Sequence, residues 1–347
     1  MDKDNLVMSY YFSEKDRELG LPILSEENKE YLIDARSERG WNFIPMKQFV
    51  DSKFKSGITQ IDIVYRQPAC VIIDNSGIQN CEYLERVPTR NDIYASTDNL
   101  VILAFYQGSC WQHFVQDSLP FIVLYLQLLQ LNPQFKIVMY IPGFDSWKLF
   151  MDSYNIRNEV ILVHSGQILS TTGKIFTLKI HGERYPAEYP LNLVRNGFQC
   201  IGALNCVIEK RNKLIWITRK GLNQRTIENE DEVCNMLKEF AAERKLEFEF
   251  FDCNKTALDD RIDLFRKARM VVALHGGSNY NVIFCAPKTV FVEVCFGRLL
   301  HELNTVAKGK DLEYIMHIET DYGHSSQNIK LNVARLKAEI EKIKIEL

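Results

Sequence analysis

Three stretches of this chain carry side chains suited to proton transfer or anion binding. The first is Cys110 to Pro120, CWQHFVQDSLP. On a helix, His113 and Asp117 stand four residues apart and project from one face. A His–carboxylate pair moves protons, either group acting as base while the other holds it in place; a helix-stabilising pair ahead of Pro120 has the same look. The second is Trp216 to Arg225, WITRKGLNQR, a strand running into a loop with Arg219, Lys220 and Arg225. Guanidinium forks match the oxygens of a pyrophosphate, although a solvated basic loop has the same composition. The third is Met270 to Val294, MVVALHGGSNYNVIFCAPKTVFVEV, which reads as buried strand, glycine turn, short helix, loop and buried strand. Gly276 and Gly277 permit a sharp turn and close approach of a ligand to the backbone. Ser278 or Asn279 can cap the helix, whose free N–H groups attract anions, phosphate above all. Glu293 lies at the carboxyl edge of the second strand, where open α/β sheets bind ligands. The pattern points to a nucleotide diphosphate and leaves the reaction open.

Positioning these groups requires a regular frame, and from Lys213 onward the sequence supplies one. Strands are expected at Leu214–Thr218, Leu246–Phe251, Met270–Leu274, Thr289–Val294 and Glu313–His317, with helices at Glu228–Ala242, Ala257–Ala268 and Leu299–Val306. Strands alternating with helices predict a parallel sheet wound on both faces. Before this, strand-like runs occur at Ile58–Tyr65, Cys70–Ile73, Asn99–Phe105, Lys136–Ile141 and Lys174–Ile180, with a long helix over Trp111 to Leu131 and a linker-like Gly182 to Asn196. At 347 residues the length favours two domains: residues 1–205, then 206–325 with the anion-binding turn, and 326–347 as a terminal helix packing back on the first.

Lys and Arg total 42 against 45 Asp and Glu, so the net charge of -3 offers no basic excess for a nucleic-acid partner. The nine cysteines are scattered without a Cys-x-x-Cys pair, which argues against a zinc ribbon or redox motif. The first residues carry early acids and no signal-like apolar run. Phe121 to Leu131 is too short to span a bilayer. The expectation is a cytoplasmic protein with free thiols and no transmembrane segment.

Several motif readings fail on the same residues. G-x-G-x-x-G and the P-loop are missing. HGGS is similar to an esterase oxyanion turn, but the nucleophile elbow around Ser278 needs glycine where this chain has Tyr280. The one Asp-x-Asp is Asp2-Lys3-Asp4, at an exposed terminus, so a metal site built on that motif is unsupported.

HFVQDSLP, then ITRKGLNQR with the acidic NEDE, then LHGGSNYNVIFCAPKTVFVEV resemble, in that order, glycosyltransferase family 61. The resemblance implies an α/β protein of GT-B fold, two Rossmann-like domains facing across a cleft. It also implies inverting transfer without a bound metal or other cofactor, from a UDP-sugar to a hydroxyl of a glycan or glycoprotein acceptor, with xylose or N-acetylglucosamine favoured. His113 and Asp117 match the His and Asp of the family's first block, and Asp117 is the first choice of base with His113 orienting it; the reverse is also open. Arg219 and Arg225 match basic residues near the donor diphosphate. His275, Gly276, Gly277, Ser278 and Asn279 match the HGAGL-type turn, with Gly, Ser and Asn in place of Ala, Gly and Leu. Glu293 falls where the donor ribose is often held. A non-catalytic nucleotide-sugar-binding or scaffold protein on the same fold is the alternative.

Overall fold

The computed structural model describes residues 6–11, 32–37, 40–45, 60–66, 69–74, 77–80, 93–102, 111–113, 115, 119–140, 147–163, 168–181, 211–296, 302–319 and 328–343. The chain divides into two compact units, Met1–Arg17 with Gly57–Cys200, and Glu18–Ser56 with Ile201–Leu347. In the first unit a six-stranded sheet runs in the order Leu6–Tyr11, Gln60–Arg66, Ile175–His181, Leu100–Ile102, Lys136–Tyr140, Val160–Val163. Its last four strands are parallel and the first two join antiparallel. A four-stranded sheet, Gly77–Asn80, Ala69–Asp74, Ile168–Thr171 and Ile93–Ser96, holds the other strands among the unit's described residues. The helix expected over Trp111 to Leu131 is described as two pieces, Trp111–His113 and Leu119–Leu131.

The second unit contains a two-stranded hairpin, Leu32–Ser37 with Gly40–Pro45, and a wound α/β body. In chain order that body consists of β1 (Lys213–Ile217), α1 (Glu230–Glu243), β2 (Glu247–Phe251), α2 (Leu258–Arg266), β3 (Ala268–Leu274), a 3-10 helix (Gly277–Phe284), β4 (Val290–Phe296), α3 (Glu302–Gly309), β5 (Glu313–Glu319) and α4 (Val333–Ile340). All five strands are parallel, in the order β2-β1-β3-β4-β5. The parallel sheet is thus as the alternation of patterns required.

Both faces are covered, which is why β3 is apolar without a break from Met270 to Leu274 and β4 is broken by Glu293 alone. On one face Leu214, Trp216, Val272, Leu274, Val292 and Val294 pack with Leu237 and Phe240 of α1 and with Leu336 and Ile340 of α4. The residues between them, Ile215, Val271, Ala273, Phe291, Glu293 and Cys295, are equally buried and point to the opposite face. The 3-10 helix packs against α2 and α3.

In the terminal helix, Leu336 and Ile340 are wholly buried in the core of the second unit. The physical reason lies in the segment before it. Asn229 accepts from Leu331 N at 2.9 Å and donates to Leu331 O at 3.0 Å, and Glu228 N donates to Ile329 O at 2.8 Å. These bonds bring the chain alongside the start of α1, and the i, i+4 stripe of Leu336 and Ile340 then finds its apolar partner on α1.

Candidate functional site

The strand order reverses direction between β1 and β3, since the chain moves from β1 outward to β2 and then returns to β3 on the other side. In wound sheets the crevice at the carboxyl ends of such a strand pair is where ligands bind. Here β1 delivers Thr218 and Arg219 to that edge, and β3 delivers His275 and Gly276.

Arg219 is 9% exposed. Its Nε donates to Arg225 O at 3.0 Å and its Nη2 to Gln224 O at 3.3 Å. The guanidinium therefore folds the loop 220–226 around itself. Its third nitrogen, Nη1, lies against Gly276: a Cβ placed there would meet it at 2.0 Å. Gly276 has φ 171°, an extended backbone open to any residue. The glycine is needed for space, and the close neighbour is Arg219.

Arg225 has φ 57°, in the left-handed region that side chains rarely occupy. Its Nη1 reaches His275 O at 3.4 Å. Two guanidinium groups thus share one edge of the sheet. Burial first, and then the charge of Arg225, push the Arg219 pKa down to about 10. Among the described residues no carboxylate pairs with Arg219. A buried cation beside a second cation is a standing electrostatic cost, and an anion arriving there relieves it.

Beneath the turn lies a carboxylate. Glu293 is 0% exposed. Its Oε1 stands 2.6 Å from His275 Nδ1 and 3.4 Å from Asn279 Nδ2, and its Oε2 accepts from the Tyr314 hydroxyl. Asn279 Nδ2 also donates to Leu274 O at 3.1 Å. These contacts alter two expectations. Asn279 does not cap a helix: the 3-10 helix begins at Gly277 after Gly276, without a side-chain cap bond, because the Asn279 amide is turned inward. Glu293 is enclosed by protein donors rather than presented at the surface for a ribose. Gly277 and Ser278 are half-buried at the start of the 3-10 helix, and Ser278 O accepts from Asn281 Nδ2 at 2.8 Å.

Among the described residues, His275, Glu293 and Cys295 offer nitrogen, oxygen and sulfur atoms within 4.8 Å of one another. Two atoms bound to one zinc ion at ordinary bond lengths stand roughly 3.3 Å apart. The 2.6 Å between His275 and Glu293 is instead the length of a shared proton.

The fold brings Arg219, Arg225, His275, Gly276, Asn279 and Glu293 into one connected cluster. His113 ends the short helix Trp111–His113, with its side chain outside the described residues, and Asp117 lies outside them as well. Two residues escaped attention. Tyr314 lies on β5 with no motif around it. Glu230 was hidden in the acidic run NEDE, at the start of the helix expected over Glu228–Ala242. It is buried, and its Oε1 accepts from Trp216 Nε1 at 2.8 Å and from Thr218 Oγ1 at 2.6 Å. Thr218 Oγ1 in turn accepts from Lys220 N at 2.9 Å, so this network shapes the start of the arginine loop.

No curated protein matches the chain. Among solved structures it is similar to the E. coli heptosyltransferase WaaC with ADP, at 8% identity and a TM-score of 0.39, over 71% of this chain and 99% of that one. A family model described as Glycosyltransferase 61 matches residues 111–292, which spans the His113 block, the arginine loop and the glycine turn. That match covers more than half of the sequence, and the chain belongs to glycosyltransferase family 61.

Proposed function

We propose that this glycosyltransferase moves a sugar from a UDP-sugar to a hydroxyl of a glycan or glycoprotein acceptor, with inversion and without a metal ion. Xylose and N-acetylglucosamine are the favoured sugars. The observation that carries the donor side is the Arg219–Arg225 pair at the strand-order reversal, beside the glycine turn: a buried positive charge for which the described residues offer Arg219 no acidic partner. A diphosphate compensates that charge. The proposed reaction is one in-line displacement. The acceptor oxygen attacks the anomeric carbon and its proton passes to Asp117, oriented by His113. The bond to the diphosphate breaks with its electron pair going to the phosphate oxygen. Fixed positive charge at the leaving oxygen is then worth more than it is in water. The described cysteines Cys234, Cys253, Cys285 and Cys295 are free thiols, in keeping with a cytoplasmic protein. No helix among the described residues is long and apolar enough to cross a membrane.

Thermal unfolding with UDP, GDP, CMP and NAD, each with and without EDTA, tests the donor side. Ligand at a hundred times its dissociation constant stabilises by about 2.7 kcal/mol. A shift with UDP that survives EDTA is expected; no shift with any nucleotide refutes the reading. Asp117→Asn should keep UDP binding and lose transfer. A variant that turns over at the wild-type rate removes Asp117 from the role of base.

A further inference from the structure

We propose that Glu293 and Tyr314 are positioning residues that hold His275 with Nδ1–H turned inward, so that Nε2 meets an oxygen of the donor diphosphate. The proposal rests on the donor-site reading above and deepens it.

An ionised carboxylate only accepts hydrogen bonds. Glu293 has donors on both oxygens: the Tyr314 hydroxyl at Oε2, and at Oε1 the Asn279 amide together with His275 Nδ1. A ring nitrogen 2.6 Å from such an oxygen carries the hydrogen, which assigns Nδ1–H to the inward side and leaves Nε2 for whatever lies outside. Exposure agrees: the Glu293 side chain is 0% exposed and that of His275 11%, so the open side of the ring faces away from the carboxylate. Among the described residues Nε2 has no hydrogen-bond partner.

The turn that carries the ring is already positive. The His275 carbonyl takes the Arg225 guanidinium, and the next residue, Gly276, carries Arg219 on its face. In the neutral ring Nε2 has a lone pair. To donate to a phosphate oxygen it takes a second proton, from solvent or from a monoprotonated diphosphate, and the resulting imidazolium is held by Glu293. Tyr314 stands one strand beyond Glu293, and both side chains are buried. Tyr314 reaches the His275 ring through Glu293. A base or acid oriented by one group that is itself held by another is a recurring way of fixing a reactive side chain.

The test is calorimetric titration of the full chain with inorganic pyrophosphate, alongside UDP and uridine. We expect Glu293→Gln to weaken pyrophosphate binding by roughly tenfold or more, and Tyr314→Phe by several-fold, in line with hydrogen bonds to charged groups. His275→Asn should match Glu293→Gln, and the double variant should lose nothing further, since the two act as one unit. Uridine affinity should be unaffected, which a general loss of structure does not allow. Nitrogen NMR should show His275 as the Nδ1–H tautomer in the wild type and as a mixture in Glu293→Gln. Equal pyrophosphate affinity in wild type, Tyr314→Phe and Glu293→Gln overturns the proposal, as does an Nε2–H tautomer in the unliganded wild type. If the wild type binds neither pyrophosphate nor any nucleoside diphosphate, the donor-site reading fails instead.

Discussion

Replacing Gly276 with alanine isolates the contact between the arginine loop and the glycine turn. The backbone there is extended, so alanine introduces no backbone strain. The whole effect falls on Arg219: the new Cβ would stand 2.0 Å from Nη1 and 3.1 Å from Cζ. Ordinary contact is about 3.5 Å, so the guanidinium must retreat by about 1.5 Å. A shift of that size breaks or strains the bonds from Nε to Arg225 O at 3.0 Å and from Nη2 to Gln224 O at 3.3 Å. Hydrogen bonds from charged donors contribute about 1.5–3 kcal/mol each, and an arginine 9% exposed finds little water in exchange. The far end of a long side chain can swing, which limits the loss to about 2–4 kcal/mol. For a unit of this size that corresponds to a melting temperature lower by about 5–15 °C. The assay is thermal and urea unfolding of Gly276→Ala, Arg219→Ala and the double variant. Once Arg219 is truncated nothing remains to clash, so Gly276→Ala should then cost less than about 1 kcal/mol. Losses that simply add within about 0.5 kcal/mol refute the reasoning and return Gly276 to a role in ligand approach.

Arg225→Gly should leave stability unchanged or raise it by up to about 1 kcal/mol, because glycine accepts the left-handed backbone at φ 57° freely, while pyrophosphate affinity falls at least tenfold; calorimetry and thermal unfolding read the two effects separately. Glu230→Ala strands the Trp216 and Thr218 donors in the core and should cost about 3–5 kcal/mol, whereas Glu230→Gln keeps an acceptor and should cost about 1 kcal/mol, measured as urea midpoints. His317 on β5 donates to Glu319 and Glu339, and Glu319 also accepts from Asn332 N, which ties β5 to α4. Burial lowers the His317 pKa, but its two carboxylate partners outweigh burial and raise it above 6.5, while both carboxylates are held below 4.5. A raised histidine stabilises fully below 6.5 and less as pH climbs through its folded value. The depressed carboxylates stabilise above 4.5 and less as pH falls through theirs. The difference in melting temperature between wild type and His317→Gln should therefore be largest between pH 4.5 and 6.5 and shrink on either side; a flat difference up to pH 9 contradicts an ionised cluster.

The parts of this fold that could be read from the sequence were those with a local period. β1 and β3 to β5 appeared as apolar or β-branched runs, α1 and α2 as amphipathic stretches, and all of them formed within a few residues of expectation. Boundaries moved where tertiary pairing outvoted the pattern. β4 extends to Phe296 because Cys295 and Phe296 pair with Ile318 and Glu319 of β5. The turn after Leu274 was legible as a turn, but its helix is of 3-10 type and its Asn279 serves the interior. Asn279 has two possible employments, capping the helix or reaching Glu293, and only the presence of the buried carboxylate decides between them.

By itself the sequence determined the wound α/β body, the family, and which residues gather at the carboxyl edge of its sheet, since strand and turn signals lie within a few positions of one another. The tertiary structure alone decided what those residues do for each other. Arg219 against Gly276, Tyr314 beneath Glu293 and Glu230 beneath Trp216 are partners on different strands, turns and helices. No spacing along the chain encodes such pairs, because they meet only after β1, β3, β4 and β5 have taken their order in the sheet. The same burial that closes those contacts turns a surface-looking arginine and two glutamates into interior hydrogen-bonding partners around the site.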